Sequence, residues 1–545
     1  MLVRAYLGPA RRAYSTAATK AAAAHALPQR IYTSPYPPLA VAPQTPWQLV
    51  HETAQSKLDS PALICGLSHN QLSFGEFDRA VQQVATSLAQ RGVSKGSVVL
   101  TNMLNCFEYP ILYHALTALG AVLSPAPPMY SAVELGRQLV ASKATFVFTH
   151  EAVESAALQA AAEHGIAPER CFSVGTSSKA QPFSVLQAVD AIDVPAVSID
   201  PVRDLNLLPF SSGTTGAPKG VKLSFWNLAV NALQFSFMEP FVSPGMVVLP
   251  YYHIYGATLM NAVLVAGQPQ VILPKFDPAT FLHALEKYKI EKAHIAPPIA
   301  AVLAKHPIVD NYDLSATKYF ISGAAPLGQA LEDAVFNRLG IRIKQAYGMT
   351  EMSPVSNYSR DEHVKSTSSG HLIPNTELRV VCPSSSNDLA PNQVGELWYR
   401  GPQIMLGYLD NDEATQNTMT ACGFLKTGDL GFVDELGNVH VVDRLKELIK
   451  YKGHQIAPAE LEDVIIKHPK VMDVACIRGY DAEREEVPKA CVVVKPGESL
   501  TAQELMDYVA THVAPYKKIR QVVFVDTIPK SGSGKILRRE LQAAH

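Results

Sequence analysis

The chain has 545 residues, of which 47% are hydrophobic and 18% charged, with a formal net charge of −2. At about 100 to 200 residues per domain this length holds two to four folding units around packed cores, which excludes a single small module, a disordered polymer and a fibre. There is no basic surplus to bind nucleic acid or an anionic membrane, and the seven cysteines (65, 106, 171, 382, 422, 476 and 491) never fall in C-x-x-C spacing, so they read as reduced, mostly buried thiols rather than disulfides or zinc ligands.

From Met1 to His51 there is no Asp or Glu, while Arg4, Arg11, Arg12, Lys20 and Arg30 stand among Ala, Ser, Thr and Tyr. Residues 1–40 therefore read as a transit-peptide-like segment, and Arg12-Ala13-Tyr14 before Ser15 resembles the site cut by the mitochondrial processing peptidase. The expected location is the mitochondrial matrix, with a cytoplasmic protein carrying an Ala-rich tail as the alternative. The most apolar stretch, "YGATLMNAVLVAGQPQVILP", is broken by Asn, Gly, Gln and Pro, so no membrane span is expected.

Through the body, short Val/Ile/Phe-rich runs precede stretches of helical period: "TFVFTH" before "EAVESAALQAAAEHG", "VILPKF" before "DPATFLHALEKYKI", and "KAHIAPP" before "IAAVLAKHP". That alternation predicts an α/β fold with largely parallel sheets. Residues 205 to 210, "LNLLPF", predict a buried strand; "SSGTTGAPKG" follows at 211 to 220, and then "SFWNLAVNALQF", a helix with Ser224 as candidate N-cap. A strand, a Gly/Ser/Thr loop and a helix suit phosphate, because bare amides and hydroxyls converge on one anion. The loop is not a P-loop of the G-x-x-x-x-G-K-[ST] kind, because after Gly213 the last three positions hold Pro218, Lys219 and Gly220. Charge density rises near "HVVDRLKELIKYKGHQIAPAELEDVIIKHP", which divides a large unit, 41–443, from a small C-terminal α+β unit, 444–545.

The decapeptide at 211 to 220 resembles the phosphate loop of the adenylate-forming superfamily of acyl-CoA and aryl-CoA synthetases, luciferases and peptide-synthetase adenylation domains. "YYHIYG", "SGAAPLG", "QAYGMTE", "GELWYRGPQIMLGY", "TGD", "DRLKELIKYKGHQIAPAELE" and "PKSGSGKILRREL" follow in that superfamily's order, and "DRLKELIKYKG" with "AGQPQVILPKFD" is most similar to 4-coumarate–CoA ligases. The resemblance implies a large domain of β-α sheets with a small mobile C-terminal domain. It also implies activation of a carboxylic acid by ATP to an acyl-AMP, then capture by coenzyme A. Luciferase-like oxidation of an acyl-adenylate and non-catalytic nucleotide binding are the alternatives. The acid, of aryl (hydroxycinnamate-like) or medium-chain fatty type, ATP and coenzyme A would be its partners, with Mg²⁺ as cofactor, on a monomer or weak homo-oligomer.

A carboxylic acid with a pKa of about 4.3 is already ionised at neutral pH, so the obstacle is the approach of one anion to another, and the site needs cations. By resemblance Lys535 supplies one to the α-phosphate and the carboxylate. Ser211, Ser212, Gly213, Thr214, Thr215 and Lys219 would grip the phosphates, Glu351 and Thr215 would hold Mg²⁺, and Thr350 would bond the α-phosphate. Gln345 and Ala346 would line the adenine, Tyr347 would stack on it, and Asp429 with Arg444 would hold the ribose. Tyr255, Ser322, Gly323, Ala324, Gly348, Met349 and Val355 would line the acyl pocket, with Tyr255 able to bond a phenolic hydroxyl. Lys446, Lys450 and Gln455 are assigned to the acyl substrate and to the alternate poses of the C-terminal domain. Lys275, Lys452 and Gly453 would meet coenzyme A, and Asp443 would be the hinge. His253 would gate and pack beside the acyl pocket, or act as base on the thiol, whose pKa of about 8.5 makes deprotonation necessary. His454, where the family often has an aromatic, and Phe225, where it commonly has histidine, depart from the pattern.

Overall fold

The computed structural model describes residues 30–545 apart from 177–178, 190, 212–217, 326, 453 and 532–533, together with the side chain of Gln455. Residues 1–29 of the address-like segment 1–40, the loop residues Ser212, Gly213, Thr214 and Thr215, and Gly453 lie outside the described residues, whereas Tyr32–Thr33 of that segment pairs with Glu377 and Leu378.

The predicted β-α alternation builds three sheets. In the largest, strands Leu205–Leu207, Val122–Pro125, Val98–Asn102, Phe146–His150, Cys171–Val174 and Gln181–Pro182 run parallel side by side. A second joins Gly245–Val247, Gln270–Ile272 and Pro61–Cys65 in parallel. The third aligns Lys292–Ile295, Tyr319–Ser322 and Arg342–Gly348 in parallel and then adds Val355–Tyr358 antiparallel. Such sheets are covered on both faces by helices, which explains their unbroken apolar runs.

The expectation of largely parallel sheets fails between residues 377 and 444. Glu377–Val381, Gly395–Arg400, Leu425–Val433 and Val439–Arg444 form an antiparallel sheet. The physical reason is visible in "GELWYR", whose residues alternate buried and half-buried as a sheet with two unlike faces requires. The last hundred residues are α+β: a hairpin of Ile449–Tyr451 with His454–Ile456, a helix Pro458–Ile465, and Val471–Tyr480 paired antiparallel with Glu486–Val494. Their own apolar cluster includes Ile449, Leu461, Val474 and Val492.

Ser224 caps the helix Phe225–Met238 as predicted: its side chain accepts from the Asn227 amide at 3.1 Å, and Asn227 accepts from the Ser224 amide at 2.9 Å. The strand before it is shorter than expected, Leu205–Leu207, and a further strand, Lys219–Ser224, lies between the loop and the helix. The loop is therefore carried by an antiparallel hairpin, Phe210–Ser211 against Lys219–Ser224, and the helix N-terminus does not adjoin it. Apolar "VKL" pairs with neighbouring strands on both sides, which draws the segment out of the helix. The cysteines are all free, but only Cys171, Cys476 and Cys491 are buried, Cys422 is exposed, and the other three are intermediate. No described helix is long and apolar enough to cross a membrane.

Candidate functional site

Ligands of open α/β sheets bind beyond the carboxyl ends of the strands. Here Tyr319–Ser322 runs into Gly323 and Ala324, and Arg342–Gly348 runs into Met349, Thr350 and Glu351. Ala324 and Ser353 have φ of 75° and 68°, in the left-handed region that costs a non-glycine residue, so both strands end in strained turns. Gly348 is glycine for a backbone reason: a Cβ there would lie 2.1 Å from the Pro354 carbonyl oxygen.

Glu351 is buried, and its Oε1 accepts from the Tyr408 hydroxyl at 2.8 Å. Lys219, at the end of the loop hairpin, holds its ammonium 4.9 Å over the Tyr408 ring. Tyr408 thus joins the phosphate-loop lysine to the magnesium candidate. It lies in the segment 395 to 408 but carries no predicted role; it was missed because the link is made through space, across the pairing of Lys219–Ser224 with Gly407–Tyr408.

Asp429 is also buried, with Oδ2 accepting from the Tyr347 hydroxyl at 2.6 Å and Oδ1 3.0 Å from Arg444 Nε. Register places Asp429 directly opposite Arg444 on adjacent strands, so the ion pair follows from sheet pairing. The adenine candidate and the ribose candidate are bonded to each other here, and a carboxylate with about four lone-pair positions still has room for sugar hydroxyls. Gln345 bonds the Leu327 carbonyl at 3.0 Å and Glu332 at 2.6 Å, fixing the strand that carries Ala346 and Tyr347.

Lys535 comes to this place from the other end of the chain. Burial, and then the Arg444 cation, push its ammonium down to about 8, against the pull of the carboxylates of Glu447, Asp429 and Glu351. The turn before it is closed by Gly534 N–H donating to the Ser531 carbonyl at 2.8 Å, with Gly534 at φ 82°. Arg538, one helical turn on, donates to Glu447 at 2.8 Å and Glu462 at 3.0 Å. A Cβ on Gly534 would meet Pro298 at 2.8 Å, so this turn docks on the start of helix Pro297–Lys305 through bare backbone. Gly534→Ala is accordingly expected to cut adenylation about tenfold or more while leaving the unfolding midpoint within a few degrees. Wild-type adenylation in that variant would remove the docking role of this turn.

His253 caps helix Ile254–Val265, its Nδ1 accepting from the Tyr255 amide at 3.3 Å. Burial, and then Lys535, push its pKa down to about 4. A general base works best with a pKa near the operating pH, so the packing role suits it better than proton abstraction from a thiol.

Among the acyl candidates, Val355 is pinned by Asn231, which bonds both its amide, at 3.1 Å, and its carbonyl, at 2.9 Å. The Ser322 hydroxyl is buried without a hydrogen-bond partner among the described residues. Tyr255 lies flat against Gly323, where a Cβ would be 2.8 Å from the ring. Its hydroxyl, however, is 2.8 Å from His294 Nδ1, a histidine not singled out in the sequence because it belongs to no motif.

Lys446 and Lys450, and the coenzyme A candidates Lys452 and Lys275, are exposed. The Lys450 amide bonds Glu486 at 2.7 Å, and Lys446 is held through its carbonyl by Arg478. Their place is the face of the small C-terminal unit, where Lys452, at φ 47°, holds its ammonium 5.4 Å over Tyr451. His454 stacks on Tyr516 with ring centroids 4.2 Å apart, so the position keeps a planar ring despite its departure from the family pattern. Phe225 is fully buried in the core.

Two buried carboxylates, Glu351 and Asp429, with Arg444 paired to one of them and Lys535 within electrostatic reach of both, suit an enzyme that joins an acid to a second group by way of a nucleotide. The chain belongs to the AMP-binding enzyme family: that family's sequence profile matches residues 50–409, and the profile of the AMP-binding enzyme C-terminal domain matches 460–535. It is 38% identical over 536 residues to 4-coumarate–CoA ligase 5 of Oryza sativa subsp. japonica, covering 94% of this chain and 97% of the relative. It is also 38% identical over 509 residues to 4-coumarate–CoA ligase 1 of Solanum tuberosum, covering 89% and 90%. Of the solved structures, ATP-bound MatB from Rhodopseudomonas palustris superposes with a TM-score of 0.83 at 26% identity, covering 92% of this chain and 99% of that one. The protein is an acid–thiol ligase of the adenylate-forming class.

Proposed function

We propose that the protein is an ATP- and Mg²⁺-dependent carboxylate–CoA ligase acting on an aryl, hydroxycinnamate-like acid or a medium-chain fatty acid. The observation that carries this reading is the Asp429–Arg444 ion pair at 3.0 Å, with Lys535 within electrostatic reach of it and of Glu351. Lys535 and Arg444 offset the negative charge that builds as the acid's oxygen approaches the α-phosphate, in a place shielded from water. Asp429 holds the ribose, Tyr347 the adenine, and Thr350 the α-phosphate. Names of the relatives support coenzyme A as acceptor and hydroxycinnamates as one substrate class.

Magnesium fits the donor set. A hard cation that keeps several waters needs only one or two carboxylates besides the phosphates, and Glu351 presents a buried carboxylate with one oxygen fixed by Tyr408. Bound there, the ion neutralises phosphate charge; the residues named above orient the acid and nucleotide.

Thioester formation then requires the C-terminal unit to turn so that Lys452 and its neighbours face the site, and Asp443 is the pivot. Its carboxylate accepts from the amides of Arg444 at 2.7 Å and Ala459 at 3.0 Å, tying the large unit's last strand to the first C-terminal helix. Burial raises this carboxyl from 3.8 to about 6 against those two donors and Arg538. The folded pose therefore binds a proton more tightly than the unfolded chain, and its contribution to stability falls as pH rises from about 4 to about 6. Asp443→Asn removes that slope, so its unfolding midpoint relative to wild type should rise between pH 4 and 7. A difference independent of pH would count against the buried carboxyl.

The ligase reading is tested by exchange of labelled pyrophosphate into ATP in the presence of candidate acids. Acid-dependent exchange supports it, and no exchange with any acid removes it.

A further inference from the structure

Gly534, next to Lys535, abuts Ala296, and Ala296 packs in one apolar cluster with Leu249 and Tyr255. An acid whose carboxylate lies at Lys535 must therefore extend its tail past Ala296 and Tyr255. A tyrosine there invites the idea that its hydroxyl bonds a hydroxylated substrate. That hydroxyl already has a partner, His294 Nδ1 at 2.8 Å, and both residues are buried. Burial, and then Lys344 and Lys292, hold His294 down at about 3, so the imidazole is neutral and offers one donor and one acceptor.

The histidine cannot retreat. Phe235 stands edge-on to it at 5.4 Å and Phe241 lies tilted at 6.4 Å. Behind these rings Glu239, wholly buried, pairs with Lys344 at 2.6 Å, with Lys292 and with the Tyr358 hydroxyl. Asp361 pairs with Lys292 at 2.8 Å and Lys344 at 2.6 Å. Two carboxylates and two ammoniums cancel, which leaves a rigid, neutral backing. Phe235 also packs with Leu259, Ile321 and Val355 in one apolar cluster.

We propose that His294 is a specificity-determining residue that sets the far wall of the acyl pocket, with Tyr255 bonded to it rather than to the substrate, so that acids are ranked by the size of an apolar tail and not by a phenolic hydroxyl. This rests on the ligase reading above. Tyr255→Phe should lower kcat/KM for a hydroxylated acid and its deoxy counterpart by the same factor, within about twofold. His294→Ala should raise kcat/KM for acids one to three carbons longer, relative to the acid preferred by wild type, by about tenfold or more, the scale at which a pocket senses a methylene. His294→Gln, which refills the volume, should restore the wild-type ranking. Loss of hydroxylated acids about tenfold beyond their deoxy counterparts in Tyr255→Phe would overturn the proposal, as would an unchanged ranking in a folded His294→Ala. Should His294→Ala fail to fold, the Tyr255→Phe ratio decides alone. A wild-type protein that forms no thioester with any acid would instead overturn the ligase reading itself.

Discussion

Replacing Lys535 with alanine is expected to slow acyl-adenylate formation by about 10²- to 10³-fold, the usual cost of removing one preorganised group aimed at developing charge. The loss should be confined to that half-reaction. Lys535 lies within electrostatic reach of Arg444, Asp429 and Glu351, on a turn docked against Pro298 that the second pose would carry away. Supplied with synthetic acyl-AMP and coenzyme A, Lys535→Ala should still form thioester within about tenfold of wild type. Rapid-quench measurement of both half-reactions distinguishes the cases, and equal losses in the two would withdraw the role given to this lysine.

Glu239→Ala should produce the largest loss of stability, about 3 to 5 kcal/mol, because it strands the buried Lys344 ammonium and the partly buried Lys292 ammonium with Asp361 alone to compensate them. Lys344 is completely buried, whereas Asp361 is 43% exposed, so water weakens the remaining pairs from one side only. Denaturant unfolding would show a lower midpoint at unchanged slope. Replacing Glu239 with Gln should cost less, since the amide still accepts one bond. A Glu239→Ala protein as stable as wild type would mean that the network contributes shape without net energy.

This network also marks where sequence reading stops. Each chemical motif was legible because its residues are neighbours in the chain: "YGMTE" places Thr350 and Glu351 in one turn, and "TGD" places Asp429 in the middle of a strand. The β-α alternation was legible for the same reason, period following local pairing. What could not be read were partnerships across the fold. Glu239 and Lys344 are 105 residues apart, and Tyr255 and His294 are 39 apart on different elements. The loop hairpin was misread because the six residues Lys219–Ser224 look like the approach to a helix and become a strand only through their neighbours on either side. The exposed lysines Lys446 and Lys450 were grouped with the acyl residues by motif, while the backbone bonds that hold them, to Glu486 and Arg478, are long-range ones the sequence does not show.

Purified protein incubated with Mg-ATP, coenzyme A and a panel of hydroxycinnamic, benzoic, phenylacetic and C4 to C18 fatty acids should yield AMP and an acyl-CoA thioester in equal amounts, read by mass, from one structural class of acid. AMP released with no thioester from any acid would contradict coenzyme A as the acceptor.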